Sequence, residues 1–470
     1  MNELYFCGDF NSQISADEKR LIPHIKRFFE CVVGDTEFYA ALQEDAAGWE
    51  ALLQARGIAN VKPEQLAVLF PEQFMLEEVP TAELADKPQA LLWRRYCEAA
   101  AGMRELWRQQ GDKTPSHRFN AWRRRQVNRC QSQLGQETNA AIVHATAVFE
   151  LSKGCSLGCP FCGLAAEPLQ EVLPYTDENA RLWQTVLKVA AARLGTAAGA
   201  GMCYWATEPS DNSDYFKFMA DYSRIMGVYP QTTTAAPLRK PDWTRELLRL
   251  RREHVTASDR FSIHSTELLR RVHKEFSAED LALTELILQH SDTWSRLMAR
   301  SGRNRPSVSA DSQAKFVTTH TICCLSGYLI NMVERSVRLI SPCPPSERWP
   351  LGYRIHAEGD FADAAELDGF IVKTMAACMP EHLASEDRLA FRQDLEFAAL
   401  PAGFQLRSTY RLHKLTGAPH LVPLGRLIAQ GILTLGRVLE ETAVQGQDVL
   451  AAASSMQKLF EQGLLEENLL

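Results

Sequence analysis

Hydrophobic residues in the first part of the chain recur at the spacing of amphipathic helices. Segments 17–32, 37–55 and 88–110 each carry an apolar stripe, so residues 1–138 are predicted to form an N-terminal helical domain. The pattern changes after that. Residues 141–149 form an apolar, β-branched run that is typical of a buried strand.

Strand-like and helix-like segments then alternate. The predicted strands are 202–205, 229–234 and 260–264, and the predicted helices between them are 177–194, 214–226 and 241–252. Thr176 is a predicted N-cap, and Gly195 and Gly227 are predicted helix ends. Alternation of this kind is typical of an α/β domain with a parallel sheet. We therefore expect a partial (β/α) barrel over residues 139–399.

Near residue 400 the pattern changes again. Phe404, Leu406, Tyr410 and Leu412 alternate with polar residues, as in half-exposed strands, and helical segments follow up to Leu465. Residues 400–470 are therefore predicted to form a small winged-helix-like module.

The composition indicates which broad class of protein this chain belongs to. The 470 residues are 46% hydrophobic and 23% charged, which is typical of a globular chain of two or three domains. No signal peptide and no run of about 18 apolar residues is found, so we expect a cytoplasmic protein with no membrane span. A net charge of −7 argues against nucleic-acid binding.

Three of the twelve cysteines form a motif of their own. Cys155, Cys159 and Cys162 have the spacing C-x3-C-x2-C. Three thiolates on one loop can ligate three irons of a [4Fe–4S] cluster and leave the fourth iron open for a substrate. A zinc site is the competing interpretation, but zinc normally takes four ligands and no matching second pair of cysteines appears. The motif favours one [4Fe–4S] cluster.

This motif resembles that of the radical S-adenosylmethionine (SAM) superfamily, in which SAM binds the open iron. The Ala-Thr-Glu-Pro turn that contains Glu208 looks like the superfamily's GGEP-type motif, so the resemblance implies that Glu208 holds the amino group of SAM. It also implies SAM contacts for Thr233 and Ser262, at later strand ends, and a place beside the adenine for Phe161.

The longer segments 149–155 and 339–353 resemble radical SAM peptide epimerases that modify ribosomal precursor peptides of the proteusin type. The implied activity converts L-residues to D-residues. Inversion at Cα needs a hydrogen atom from the face opposite to its removal, and a cysteine S–H bond is weak enough to give one. Cys343, in a proline-flanked loop after the apolar run 337–340, is the first candidate donor because barrel active sites lie at strand ends. Cys324 is the second.

The C-terminal module resembles precursor-recognition domains that bind a leader peptide as an added strand. The implied partners are therefore a ribosomal precursor peptide with its leader and an electron donor of the flavodoxin or ferredoxin type. Two alternatives stay open. A radical SAM enzyme could instead crosslink its peptide through a thioether or C–C bond, and an iron–sulfur sensing module would not cleave SAM at all.

Overall fold

The computed structural model describes residues 8–44, 48–70, 80–254, 258–290, 293, 296–305, 317–319 and 321–467. The helices are α1 (Gly8–Ser12), α2 (Ala16–Gly34), α3 (Thr36–Glu44), α4 (Trp49–Ala55), α5 (Pro63–Leu66), α6 (Pro88–Gln110), α7 (His117–Leu134), α8 (Gln136–Ala141), α9 (Asp177–Leu194), α10 (Tyr215–Met226), α11 (Pro241–Glu253), α12 (Thr266–Glu275), α13 (Ala364–Cys378), α14 (Leu421–Ala429), α15 (Leu435–Val444) and α16 (Val449–Glu461). The strands are β1 (Ala145–Glu150), β2 (Ser152–Lys153), β3 (Glu171–Val172), β4 (Thr233–Thr234), β5 (Asp259–Ile263), β6 (Thr284–Leu288), β7 (Arg296–Ala299), β8 (Val317–Thr319), β9 (Leu325–Asn331), β10 (Ser336–Pro342), β11 (Tyr353–Asp360), β12 (Glu396–Leu400), β13 (Gly403–Arg407) and β14 (Leu412–Thr416).

The N-terminal part is helical, as its apolar spacing predicts. Helix α2 begins in a capping box, where Ser15 accepts from the N–H of Glu18 and the Glu18 carboxylate accepts from the N–H of Ser15. Helices α2, α3 and α6 pack around a cluster of buried side chains that runs from Phe10 to Leu92. The predicted single segment 37–55 is two helices, α3 and α4.

Helix α7 lies inside the predicted N-terminal domain in sequence, but its side chains belong to the central core. Phe119 and Trp122 are fully buried in the cluster that also holds β1, α9 and α10. The face of α7 away from that cluster contacts α16 of the C-terminal module. This helix therefore connects the middle and last parts of the chain.

The central sheet has the strand order β1-β9-β10-β11. Strands β1 and β9 are parallel, and the pairs β9–β10 and β10–β11 are antiparallel. Every residue of β1 and of β9 is buried. Burial on both faces explains why the sequence of β1, ATAVFE, does not alternate between apolar and polar residues.

The pairing of β1 with β9 depends on a glycine. A Cβ atom built on Gly327 would stand 2.0 Å from the carbonyl oxygen of Thr146 in the neighbouring strand. We expect Gly327→Ala to lower the free energy of unfolding by about 3 kcal/mol, because a packed strand pair cannot separate without cost. Urea unfolding measures the change.

The matched control for that substitution is Gly102→Ala in α6, where a Cβ atom meets nothing within 4 Å. This control is expected to gain up to about 1 kcal/mol from helix propensity. Equal stability of the two variants would contradict the close approach of β9 to β1.

Strands β4, β5 and β6 form a second, parallel sheet in that order. Single parallel bridges connect Val148 of β1 to Met202, and Met202 to Gln231 just before β4. In the described residues the strands form five separate sheets. The fold class is confirmed as mixed α/β. Two predicted strands are shorter than expected: 202–205 is reduced to Met202 with its two bridges, and 229–234 is reduced to β4 and the bridge at Gln231.

The predicted helix signals in this region are confirmed. Thr176 caps α9 by accepting from the N–H of Asn179, and Gly195 follows its last residue. Helix α10 ends at Gly227 and α11 begins with Pro241. Because each signal acts through local backbone hydrogen bonds, the helix ends can be predicted from the sequence alone.

The C-terminal part has an antiparallel sheet, β12-β13-β14, packed against α14, α15 and α16. Its buried cluster includes Leu389 and Leu395, which precede the predicted boundary at residue 400. Tyr410 lies in the turn between β13 and β14 and is not in a strand. None of the helices in the described ranges is long and apolar enough to cross a membrane.

Candidate functional site

The cysteine loop starts directly after β2, the short strand that follows β1. The N–H of Cys155 donates to the carbonyl of Glu167 at 2.9 Å, and the N–H of Cys162 donates to the carbonyl of Cys159 at 3.2 Å. Gly154 has φ +81°, and a Cβ there would stand 2.3 Å from the carbonyl oxygen of Pro168. Only glycine fits the entry to this loop.

The three thiols of the loop are free and partly exposed. Burial raises the pKa of Cys155 to about 11. The pKa of Cys159 is also raised, mainly by burial and secondly by the nearby thiol of Cys162. Within the described residues, no three His, Cys, Asp or Glu side chains are gathered closely enough to hold one metal ion. The donor set itself, three accessible thiols on one loop, fits a cluster that keeps one iron open.

A second segment holds this loop in place. Asp211 accepts from the backbone N–H of Ser156 at 3.0 Å and from its hydroxyl at 2.6 Å. Arg239 donates to Asp211 at 2.7 Å and also to the Ser156 hydroxyl. Because Ser156 lies between two motif residues, Asp211 and Arg239 fix the position of the first cysteine turn.

Glu208 lies in the same segment and is 2% exposed. One carboxylate oxygen accepts from the Ser210 hydroxyl at 2.8 Å and the Thr234 hydroxyl at 2.6 Å, and the other accepts from the N–H of Ala235 at 3.0 Å. These bonds connect the Ala-Thr-Glu-Pro turn to the end of β4. The SAM contact assigned to Glu208 stays a prediction.

A cavity of about 620 Å³ opens between α6, the parallel strands and the segment before β9. Thr233, Ser262 and Cys324, which the sequence singled out separately, all line it. Leu164, two residues after the last motif cysteine, lines it as well. Phe161 lies outside the cavity lining, with its ring centroid 6.1 Å from that of His264, the residue that follows β5.

Sequence reasoning missed three of the polar residues that line this cavity, Tyr204, Arg260 and Glu285. The hydroxyl of Tyr204 donates to Gln231 at 2.6 Å and lies 2.7 Å from the hydroxyl of Thr233. Arg260 pairs with Glu285 at 3.0 Å. The signal was present, because Gln231 and Thr233, like Arg260 and Ser262, are two residues apart and so share one face of a strand.

The two candidate donor cysteines lie in different surroundings. Cys324 lines the cavity. Burial raises the pKa of its thiol, and the positive charge of Arg260 offsets part of this rise. Its carbonyl accepts from the N–H of Ala145 at 2.9 Å, so it stands at the edge where β1 begins. A thiol with a raised pKa keeps its hydrogen at neutral pH.

Cys343 is 2% exposed and follows β10. Burial raises its pKa to about 11, against the charges of Arg129 and Arg354. Strand β10 is antiparallel to β9, with Ser336 opposite Asn331 and Ile340 opposite Gly327. Its carboxyl end therefore lies at the edge of the sheet where β1 begins. The expectation that β10 ends at the same edge as a parallel strand is corrected here, whereas the role of Cys343 as donor stays a prediction.

Comparison with known proteins identifies relatives of this chain. It is 37% identical to the uncharacterised protein y4wI of Sinorhizobium fredii over 472 residues, which cover 99% of this chain and 91% of that protein. The chain belongs to the y4wI family. Residues 389–463 match the model of the y4wI C-terminal domain, and this span begins at the first residue of the buried C-terminal cluster. No solved structure matches the chain.

Proposed function

We propose that this member of the y4wI family is a radical SAM peptide epimerase. The observation that carries the proposal is the cavity, whose lining includes both Leu164, two residues after the last cysteine of the loop, and Cys324. In the proposal, a peptide residue bound in this cavity would lie within reach of both the loop and the Cys324 thiol. Inversion at Cα requires that the hydrogen is removed from one face of the carbon and returned to the other.

Cys155, Cys159 and Cys162 would hold the cluster in this proposal, and Glu208, Thr233, Ser262 and Phe161 would surround SAM. A [4Fe–4S] cluster with SAM supplies, when bound, a carbon-centred radical that removes a Cα hydrogen from the peptide. The side chains of this chain bind the peptide, exclude water from the planar Cα radical and return a hydrogen atom to it.

Cys324 is the proposed donor. Its S–H bond breaks and a new Cα–H bond forms with inverted configuration, which leaves a sulfur radical. One electron from a flavodoxin-type or ferredoxin-type carrier and one proton from solvent restore the thiol. Cys343, the first prediction from the sequence, is the competing donor, and the cavity favours Cys324 because Cys343 is not among its lining residues.

The parallel strands fit a partial (β/α) barrel of the radical SAM type. Strands β9, β1, β4, β5 and β6 form one parallel series when the bridges at Met202 and Gln231 are included. Polar side chains of this series point into the cavity, as the interior positions of a barrel would. The proposal places the substrate inside that curved series.

The C-terminal sheet is the proposed binding site for the leader of a precursor peptide. Strand β14 is an outer strand, and in the described residues no strand pairs with its other side. Its residue Leu412 and the neighbouring Tyr410 are 41% and 49% exposed. An added peptide strand would satisfy the open backbone groups and cover these apolar side chains.

Asp211 is expected to control how firmly the loop retains its iron. In Asp211→Ala the Ser156 N–H and hydroxyl lose their acceptor, so we expect about tenfold weaker retention of the cluster. The rate of iron loss to a chelator measures this. Asp211→Asn keeps one acceptor oxygen and should retain more iron, whereas Asp242→Ala, at a fully exposed carboxylate, should change nothing. Equal iron loss from Asp211→Ala and the parent chain would contradict the anchoring role.

The direct test of the radical SAM assignment is SAM cleavage. The chain, reconstituted anaerobically with iron and sulfide, should release 5′-deoxyadenosine from SAM when a reductant is added. An iron–sulfur sensing module would bind iron but would release no 5′-deoxyadenosine from SAM. A crosslinking enzyme would cleave SAM but would lower the mass of its peptide, whereas an epimerase leaves that mass unchanged in ordinary water.

A further inference from the structure

Exposed cations surround the cysteine loop on two sides. On one side, the N–H of Arg303 donates to the carbonyl of Cys162 at 3.0 Å while its side chain is exposed. On the other, Arg239 contacts Ser156 and the ammonium of Lys240 donates to the carbonyl of Ser210 at 2.7 Å. We use the term cationic rim for the exposed residues Arg239, Lys240, Arg300, Arg303 and Arg305.

The acidic groups near the loop cancel only part of this charge, that of Arg239. Glu208 is buried, and Asp211, with a side chain only 4% exposed, is paired with Arg239. Lys153, on the strand before the loop, pairs with Glu334 at 3.3 Å. Glu167 is exposed, and its carboxylate accepts from the side-chain amide of Gln170 at 3.0 Å. The rim is therefore locally positive on a chain whose net charge is −7.

We infer that the cationic rim is the docking surface for an acidic one-electron carrier protein. The inference rests on the proposed function, because it needs a cluster in the loop. A chain of net negative charge would repel an acidic carrier, and local positive charge at the point of electron entry steers the carrier to it. Electron-transfer complexes are small and transient, so a few exposed cations are a sufficient surface. In each encounter the carrier is oxidised by one electron and the cluster is reduced by one.

The test is the rate of cluster reduction in Arg303→Glu, followed as bleaching of the cluster absorption without SAM. With a flavodoxin hydroquinone as reductant, we expect the second-order rate constant to fall about tenfold at low salt, and the difference to shrink as salt screens it. Arg437→Glu is the matched control, because that arginine is 61% exposed on the C-terminal module, far along the chain from the rim. Reduced methyl viologen, a small cation, should reduce both variants at least as fast as the parent chain.

Several results would overturn the inference. An unchanged rate with flavodoxin would show that the carrier docks elsewhere. An equal fall with methyl viologen would mean that Arg303 acts on the cluster itself, and weaker binding of the precursor peptide with an unchanged flavodoxin rate would assign the rim to the peptide. If Arg303→Glu loses its cluster, Arg305→Glu provides the same test from an exposed position. A parent chain that takes up no iron would overturn the proposed function and this inference with it.

Discussion

Replacing Cys155 with alanine is expected to abolish the proposed iron–sulfur cluster. Three thiolates are the fewest that can hold a cubane with one open iron, and no other cysteine stands on this loop. After anaerobic reconstitution, bound iron and sulfide should fall to the level of non-specific binding, and no 5′-deoxyadenosine should form. The same loss is expected for alanine at Cys159 or Cys162.

The control for this experiment is Cys97→Ala, which removes an exposed thiol on α6, outside the loop. Its iron content and SAM cleavage should equal those of the parent chain. If the Cys155→Ala variant bound the full complement of iron and cleaved SAM, the loop would not be the ligand set, and the assignment to radical SAM chemistry would fail.

The second large effect is expected at the donor cysteine. Cys324→Ala should still cleave SAM, because it leaves the loop untouched, but it should yield no D-residues. In the proposed mechanism, the Cα radical has no hydrogen atom to accept once the thiol is absent. Chiral analysis of the hydrolysed peptide, with 5′-deoxyadenosine measured in the same sample, separates the two steps.

Cys343→Ala is the matched variant, since it removes a second buried thiol near the edge where β1 begins. We expect it to retain inversion. The reverse pattern, with inversion lost in Cys343→Ala and retained in Cys324→Ala, would return the donor role to Cys343. Thermal unfolding of both variants distinguishes loss of the donor from loss of the fold.

Local signals in the sequence predicted much of the fold. Helices α9, α10 and α11 begin and end close to where their caps, glycines and prolines indicate, because these residues act on backbone groups within one turn. The buried strand before the cysteine loop was also predicted, from its mostly apolar sequence, although it begins at Ala145 instead of Ala141. Such features need no knowledge of distant contacts.

Features that depend on long-range pairing were not predictable in the same way. The direction of β10 is set by its pairing with β9, and a parallel and an antiparallel strand have the same apolar sequence. Because of that ambiguity, the sequence suggested that β10 ends at the edge where β1 ends, whereas it ends at the edge where β1 begins. The cavity was missed for the same reason, since Tyr204, Arg260 and Cys324 come together only when separate strands assemble.

The most direct test of the central claim is an incubation of the reconstituted chain with SAM, reductant and its precursor peptide in deuterated water, followed by mass and chiral analysis. The thiol of Cys324 exchanges its hydrogen with the solvent and would therefore deliver deuterium. Each inverted residue should then gain one deuteron at Cα and be found as the D-isomer, and 5′-deoxyadenosine should form in the same sample. A peptide that loses hydrogens, or that remains entirely L and unlabelled while SAM is cleaved, would contradict epimerisation.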